Sequence, residues 1–210
     1  MNDVLNRLID RYPDLKICKE DIFRAFELIR KCYREKGKVM TCGNGGSASD
    51  SEHIVGELMK GFKSKRLLPS SFKDQISNLF PENGDYLGSH LQGALPAIAL
   101  TSNSTLNTAF ANDVAADMIF AQQVYGYGNK GDILIGLSTS GNSVNVIHAI
   151  QVAKAKGLIT IGFTGQSAGK MTGLCDVTIR VPRTSTPDIQ ELHLPVYHAI
   201  CLMLENEFFE

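Results

Sequence analysis

The sequence predicts an α/β fold: a doubly wound, five-stranded parallel sheet of flavodoxin-like strand order, flanked by helices. Three observations predict it. Five short apolar runs punctuate the chain, helical patterns lie between them, and turns rich in Gly and Ser follow the first and third runs. Strands alternating with helices form parallel sheets covered on both faces. Right-handed crossovers then leave a doubly wound order as the simplest topology. A chain of 210 residues is long enough for one well-buried domain and short for two.

The first 36 residues read as helical. Leu5, Leu8 and Ile9 recur at helical spacing before Tyr12-Pro13, and Ile22, Phe23, Phe26, Leu28, Ile29 and Cys32 do so over 21–33. The first strand is expected at 38–42, and a helical pattern follows at 48–60. Residues 63–95 break the rhythm with Pro69, Pro81, Gly84, Gly88 and Gly93. This stretch is too long for an ordinary connection and too mixed for a strand. It reads as a surface insertion, or as a lid or a loop reaching a neighbouring subunit. Strands are expected at 96–100, 133–137, 158–163 and 176–181, and helices at 117–125, 143–156 and, briefly, 168–172. A last helix is expected over about 188–207. Pro195 lies inside it and removes an interior hydrogen bond unless it sits in the first turn. A kink, or a start near 192–194, is therefore expected.

Composition excludes several classes of function. The formal net charge is −1, which argues against a nucleic-acid surface. The Lys/Arg cluster at 60–66 reads as a solvated loop. The five cysteines, Cys18, Cys32, Cys42, Cys175 and Cys201, are odd in number and without a Cys-x-x-Cys pair. They fit free thiols in a reducing cytosol. No signal-like start and no apolar run of membrane length is visible, so a soluble, cytoplasmic protein without membrane contact is expected.

The chemistry concentrates in four places. After the third apolar run come Ser138, Thr139, Ser140 and Ser143, and then a helical pattern. Helix N-termini offer free N–H groups and a partial positive charge, and hydroxyls add donors. No Lys or Arg lies between Lys130 and Lys154, so a phosphate here would be held by dipoles and hydroxyls alone. The run Cys42-Gly-Asn-Gly-Gly-Ser47 forms a second such turn, without the Lys of a P-loop and without dinucleotide-binding spacing. Together the two turns could grip one phosphosugar. Downstream, His53 and Glu57 share a helix face at i,i+4 and could bind one metal or share a proton, although such pairs are commonly plain surface contacts. Gln190, Glu191, His193 and His198 mark the C-terminal helix, where a lone His is ordinarily a satisfied core residue.

Taken together, these pieces resemble the phosphoheptose isomerases of the sugar isomerase (SIS) domain class. The matching segments are Cys-Gly-Asn-Gly-Gly-Ser (42–47), His-x-x-x-Glu (53–57), Ala-Asn-Asp (111–113), Gly-Asp-Ile-Leu-Ile-Gly-Leu-Ser-Thr-Ser-Gly-Asn-Ser (131–143) and Ile-Gln-Glu-Leu-His (189–193) followed by His198. The resemblance implies an SIS fold. It also implies an aldose–ketose isomerisation of sedoheptulose 7-phosphate to D-glycero-D-manno-heptose 7-phosphate through an enediol. Glu57 would be the base at carbon and His198 its acid–base partner. Asn44, Gly45, Ser47, Asn112, Asp113, Ser138, Thr139, Ser140, Ser143 and Gln190 would hold the phosphosugar. His53, Glu57, Gln190 and His198 would hold one zinc per chain. A homotetramer with active sites at subunit interfaces is implied, with the segment 1–36 serving the packing. At Asn103, where Asp is frequent in the family, and at Asp188, where Arg is frequent, the chain departs from the pattern. An isomerase of another sugar phosphate and a non-catalytic phosphosugar-binding regulator are the alternatives.

Overall fold

The computed structural model describes residues 2–209. Five strands form one sheet: β1 (Val39–Cys42), β2 (Ala97–Ala99), β3 (Ile133–Leu137), β4 (Ile159–Thr164) and β5 (Val177–Arg180). Their order is β2-β1-β3-β4-β5 and every neighbouring pair is parallel. This is the order the alternating pattern predicts. All five residues of β3 are buried, as a central strand covered on both faces requires.

Side-chain alternation divides the core in two. Val39, Ile133, Ile135, Leu137, Ile161 and Phe163 point to a face covered by α1 (Asn2–Arg11), α2 (Lys19–Arg34), α3 (Gly46–Met59) and α9 (Thr186–Phe209). Met40, Cys42 and Leu134 point to the opposite face, under α7 (Ile119–Tyr127) and α8 (Val144–Ala155). Gly136 and Gly162 pair in register across β3 and β4. A Cβ on Gly136 would lie 2.9 Å from Val146 Cγ1, and one on Gly162 would lie 3.0 Å from Met171 Cε, so these glycines let the α8 side pack closely. All five cysteines are free, and burial pushes the Cys32 thiol up to about 12. Among the described residues no helix is long and apolar enough to cross a membrane.

Several elements differ from expectation. The segment 63–95 carries α4 (Ser70–Leu79) and α5 (Gly84–His90), packed on each other as a hairpin. Ser104–Phe110 forms α6, which runs into a π-helical turn over Ala111–Ala115. The last helix is continuous from Thr186 and carries Pro195 in its interior, so the expected late start is corrected. Ile189, Leu192, Val196, Tyr197, Ile200, Cys201 and Leu204 are all buried along it. Burial of that stripe, at about 1.5–3 kcal/mol per large side chain, outweighs the roughly 3 kcal/mol cost of an interior proline.

The cluster at 60–66 is not a plain solvated loop, because Arg66 is 1% exposed. Its Nε donates to Glu205 Oε1 at 2.8 Å, and both side chains have 0% exposure. The other guanidinium nitrogens donate to the carbonyls of Leu58 at 2.6 Å and Glu57 at 2.8 Å, at the end of α3. Glu205 accepts further bonds from the N–H groups of Phe62 (2.8 Å), Lys63 (2.8 Å) and Ser64 (3.1 Å). The base of the α4–α5 hairpin closes on the same node, where Gly93 N–H donates to Arg66 C=O at 2.7 Å and Leu95 N–H to Leu58 C=O at 3.0 Å.

Removing one member of a buried pair strands the other charge, at a cost of about 3–5 kcal/mol. Glu205→Gln is therefore expected to lower unfolding stability by that amount in urea titrations at pH 7. Burial alone would raise the Glu205 carboxyl, but the N–H donors of Phe62, Lys63 and Ser64 and the Arg66 guanidinium hold it below its ordinary 4.5. A lowered carboxyl stabilises above its unfolded value, and the gain fades as pH falls through the folded one. The gap between parent and variant should hold down to about 4.5 and narrow below it. A gap that widens in acid contradicts this assignment.

Candidate active site

β1 and β3 are neighbours, but the helices that follow them, α3 and α8, cover opposite faces. This is the switch point of the sheet, where the carboxyl ends of strands leave a ligand crevice. Both sequence-predicted turns open into it. After β3, Ser138 is buried and its Oγ lies 2.9 Å from Ser143 Oγ. Gly141 N–H donates to Ser138 C=O at 2.9 Å. Asn142 N–H donates to Ser140 Oγ at 3.1 Å. A second loop braces the turn from behind: Gly165 N–H bonds Thr139 C=O at 3.0 Å and Met171 N–H bonds Gly141 C=O at 3.2 Å. Gly141 has φ +66°, and a Cβ there would lie 1.9 Å from Ala168 O. The turn is therefore a fixed shape.

After β1, Gly45 has φ +55° and precedes α3. Neither Gly45 nor Ser143, at the starts of α3 and α8, caps its helix through a side chain. Part of each first turn is satisfied within the chain: Ser47 and Ala48 N–H donate to the Asn44 and Gly45 carbonyls at 3.0 Å, and Val146 N–H to Asn145 Oδ1 at 3.0 Å, while the positive ends of both helices face the crevice. Asn44 and Asn145 tie the two turns together with reciprocal amide bonds, each 2.9 Å.

The second cluster lies between α3 and α9, which run side by side. His53 Nε2 is 3.1 Å from Glu57 Oε1, and His53 Nδ1 is 3.0 Å from Tyr197 Oη. Tyr197 O–H also reaches Asp50 Oδ1 at 3.2 Å. The His53 and His198 ring centroids are 5.0 Å apart. Glu57 Oε2, His198 Nε2 and Asp50 Oδ2 are buried with no hydrogen-bond partner among the described residues. Lys60 Nζ stands 3.5 Å from Glu57 Oε2 as an ion pair. Burial lowers the His198 imidazole below its ordinary range, helped by His53 and opposed by Glu57. Burial, with the Asp50 charge, raises the Tyr197 phenol, so it stays protonated. Beside His198 opens a groove of about 460 Å³ between α1 and α9, with Arg7, Arg11 and Lys63 in its walls.

Asn44, Gly45, Ser47, Ser138, Thr139, Ser140 and Ser143 thus gather on the two linked turns. Gln190 joins that end: a Cβ on Gly46 would lie 2.6 Å from its Nε2. His53 and His198 lie about two helical turns further along their helices, roughly 10–12 Å at 1.5 Å rise per residue, and Glu57 lies one turn beyond His53. A single chain therefore does not bring Gln190 to His53 and His198. Among the described residues no three His, Cys, Asp or Glu side chains already surround one metal point. Asn112 and Asp113 lie exposed in the π-helical turn and hydrogen-bond each other at 2.8 Å. Asn103 Oδ1 accepts from Leu106 N–H at 3.1 Å and caps α6. Asp188 is exposed in the first turn of α9, where a negative charge suits the helix dipole. His193 is a core residue: burial holds its imidazole at about 4, against the pull of a 3.3 Å contact with Thr164 O.

Three site residues are absent from the sequence reading. Asn145 shows no periodic signal. Asp50 lies one turn before His53, a weak hint. Tyr197 looks like part of the apolar stripe of α9.

A family model described as SIS domain matches residues 5–75 and 75–165. The phosphoheptose isomerase of Rhodospirillum rubrum is 41% identical over 94% of this chain and 91% of its own length. Two solved structures are similar over nearly the whole chain. A phosphoheptose isomerase from Francisella tularensis has TM-score 0.77 and 28% identity, covering 98% of this chain and 96% of that one. One from Neisseria gonorrhoeae has TM-score 0.74 and 32% identity, covering 96% and 93%.

Gly141→Ala tests the fixed turn. The φ +66° conformation alone costs a non-glycine residue about 1–3 kcal/mol, before the contact with Ala168 O is relieved. A loss of at least that size is expected in chemical denaturation. Gly126→Ala in α7, where a Cβ meets open space, is the control and should cost nothing.

Proposed function

The chain belongs to the phosphoheptose isomerases of the SIS domain family, and from that premise we propose that it interconverts sedoheptulose 7-phosphate and D-glycero-D-manno-heptose 7-phosphate through an enediol. One observation carries the reading beyond a phosphosugar binder. Glu57 Oε2 and His198 Nε2 are both buried and both without a hydrogen-bond partner, the carboxylate oxygen meeting only the ammonium of Lys60 at 3.5 Å. A pure binder gains nothing from an unsatisfied carboxylate beside an unsatisfied imidazole, whereas an aldose–ketose isomerase needs such a pair. In this mechanism Ser138, Thr139, Ser140 and Ser143, with Asn44, Gly45 and Ser47, hold the phosphate through hydroxyls and helix-start N–H groups. Glu57 moves the proton between C1 and C2. His198, kept neutral by burial, exchanges protons with the C1 and C2 oxygens. Asn112 and Asp113 belong to the same proposal as readers of sugar hydroxyls.

The donor chemistry suits zinc. Two imidazole nitrogens and a carboxylate lie together, two of them with orphaned buried atoms. His53, Glu57 and His198 would hold the ion, with a Gln190 amide as the fourth donor. Zinc bound there would supply Lewis-acid polarisation of the substrate oxygens. Glu57 has two oxygens with different surroundings: Oε1 faces His53, and Oε2 has no hydrogen-bond donor. One oxygen can thus serve the ion while the other serves the proton.

We read the assembly as a homotetramer with sites between copies, in the cytoplasm. The support is the distance between the two clusters. Gln190 sits with the phosphate turns, two helical turns from His53, so a site using both is completed by the facing end of a neighbouring copy. Exposed apolar residues on the N-terminal helical segment and the hairpin, such as Ile17, Phe23, Leu79 and Phe80, supply surface for contact.

Two measurements test these readings. Glu57→Gln should lower kcat on sedoheptulose 7-phosphate by about 10²–10⁴-fold while the circular dichroism is unchanged. Mixing denatured Glu57→Gln and Gln190→Ala subunits and refolding them together should restore activity well above either variant. Near-parental turnover by Glu57→Gln removes it from the chemistry, and a mixture as inactive as its components places each site within one chain. Separately, elemental analysis should find about one zinc per chain, the stoichiometry one such site implies. Chelation should abolish turnover and added zinc restore it; full activity in metal-free protein would end the zinc reading.

A further inference from the structure

We infer that Tyr197 is a positioning residue: its hydroxyl relays the Asp50 carboxylate to His53 and fixes which imidazole nitrogen carries the proton, leaving the Nε2 that faces Glu57 as a lone pair. The inference starts from hydrogen-bond arithmetic. Tyr197 Oη has one proton and two neighbours, Asp50 Oδ1 at 3.2 Å and His53 Nδ1 at 3.0 Å. Asp50 is acceptor-only when ionised, and its other oxygen is buried without a partner. The Tyr197 proton therefore goes to Asp50. Its oxygen is then an acceptor, and the atom that must donate to it is His53 Nδ1. With the Nδ1 position protonated, the neutral ring presents Nε2 as a bare lone pair.

That lone pair stands 3.1 Å from Glu57 Oε1, which is also an acceptor. Two lone-pair atoms at this separation are stable only with a cation between them, either a proton or a metal ion. The chain from carboxylate to phenol to imidazole thus prepares His53 Nε2 as a ligand. It has the logic of a hydrogen-bonded partner behind a metal-bound histidine, lengthened by one tyrosine. Packing holds the relay in place: Tyr197 is 2% exposed, and its ring meets those of His53 and His198 edge-on at 5.5 and 5.0 Å. The Tyr197 hydroxyl bonds Asp50 and His53, so its effect on the site passes through His53.

The zinc arm of the test rests on the proposed function, and the tautomer arm does not. Tyr197→Phe keeps the ring and removes the relay. In metal-free, ¹⁵N-labelled protein, with His53 assigned by comparison with His53→Gln, the parent should show a protonated Nδ1. Tyr197→Phe should show a neutral ring with its proton on Nε2, donating to Glu57. Zinc affinity, measured by competition with a chromophoric chelator, should fall about 10-fold or more in the variant, the usual loss when such a partner is removed. Asp50→Ala should weaken zinc too, and Asp50→Ala/Tyr197→Phe should lose no more than the worse single variant, because the two act in series. Circular dichroism and thermal unfolding confirm that each variant folds. A Tyr197→Phe protein that keeps its Nδ1 proton, or binds zinc within twofold of the parent, overturns the inference, as do additive losses. A parent that binds no zinc overturns the zinc reading instead, and the tautomer measurement, made without metal, still decides this one.

Discussion

The ion pair between Arg66 and Glu205 is the constraint on which the rest of the site depends. Two full charges at 0% exposure cost several kcal/mol each to desolvate. They persist because each charge is paired with the other and hydrogen-bonded to the backbone around it. Arg66 spends two nitrogens on the carbonyls that end α3, Glu57 and Leu58, and Glu205 collects three backbone N–H groups from 62–64. The pair therefore does the work of a C-cap for α3, a clasp between α3 and α9, and a closure for the hairpin that leaves and returns there. It also fixes the backbone of Glu57, the residue whose carboxylate the proposed chemistry uses.

That clasp shows where sequence reading stops. The strands are legible because a buried parallel strand must be apolar throughout, and Ile133–Leu137 announces itself. The Ser138–Ser143 turn is legible because its hydroxyls follow that strand directly. Arg66 is not legible: it sits in a basic cluster, and its partner is 139 residues away. The hairpin helices are harder to read: Phe72, Ile76 and Leu79 recur at helical spacing, but no residue of α4 is buried and Pro69, Pro81 and Gly84 make the segment look irregular. In α6 four of the seven residues are Ser, Thr or Asn, poor helix formers, and the helix is held by tertiary bonds. Gln123 Nε2, for one, donates to Leu100 C=O and Asn107 Oδ1, both at 2.8 Å. Pro195 misleads for the opposite reason, because local propensity is overruled by a buried face. Tyr197 is read as apolar surface because nothing in one dimension reveals what its hydroxyl meets.

The seam between α3 and α9 can be taken in three parts. At the amino end Gly46 admits the Gln190 amide beside two uncapped helix starts, and no side chain of positive charge lies in the turns. In the proposed reading, neutral donors hold the substrate phosphate there without a fixed counter-ion. At the carboxyl end every charge is satisfied and water is excluded. Between the two lies the His53–Glu57–His198 cluster, neither open nor satisfied.

That middle position is the strongest physical argument for function. Among the described residues, seven buried side-chain polar atoms lack a hydrogen-bond partner, and three of them, on Asp50, Glu57 and His198, fall in this one cluster. Each such atom costs about 1–3 kcal/mol, a penalty that a merely structural helix seam avoids by placing apolar groups there. Apolar substitutes fit the neighbourhood well, since Ile54, Leu58, Val196 and Ile200 already pack in the same seam. The satisfied clasp one to two turns away keeps the helices together despite the penalty. The seam is thus stabilised at one end, and under the proposed function the groups at its centre find their partners in the ligand.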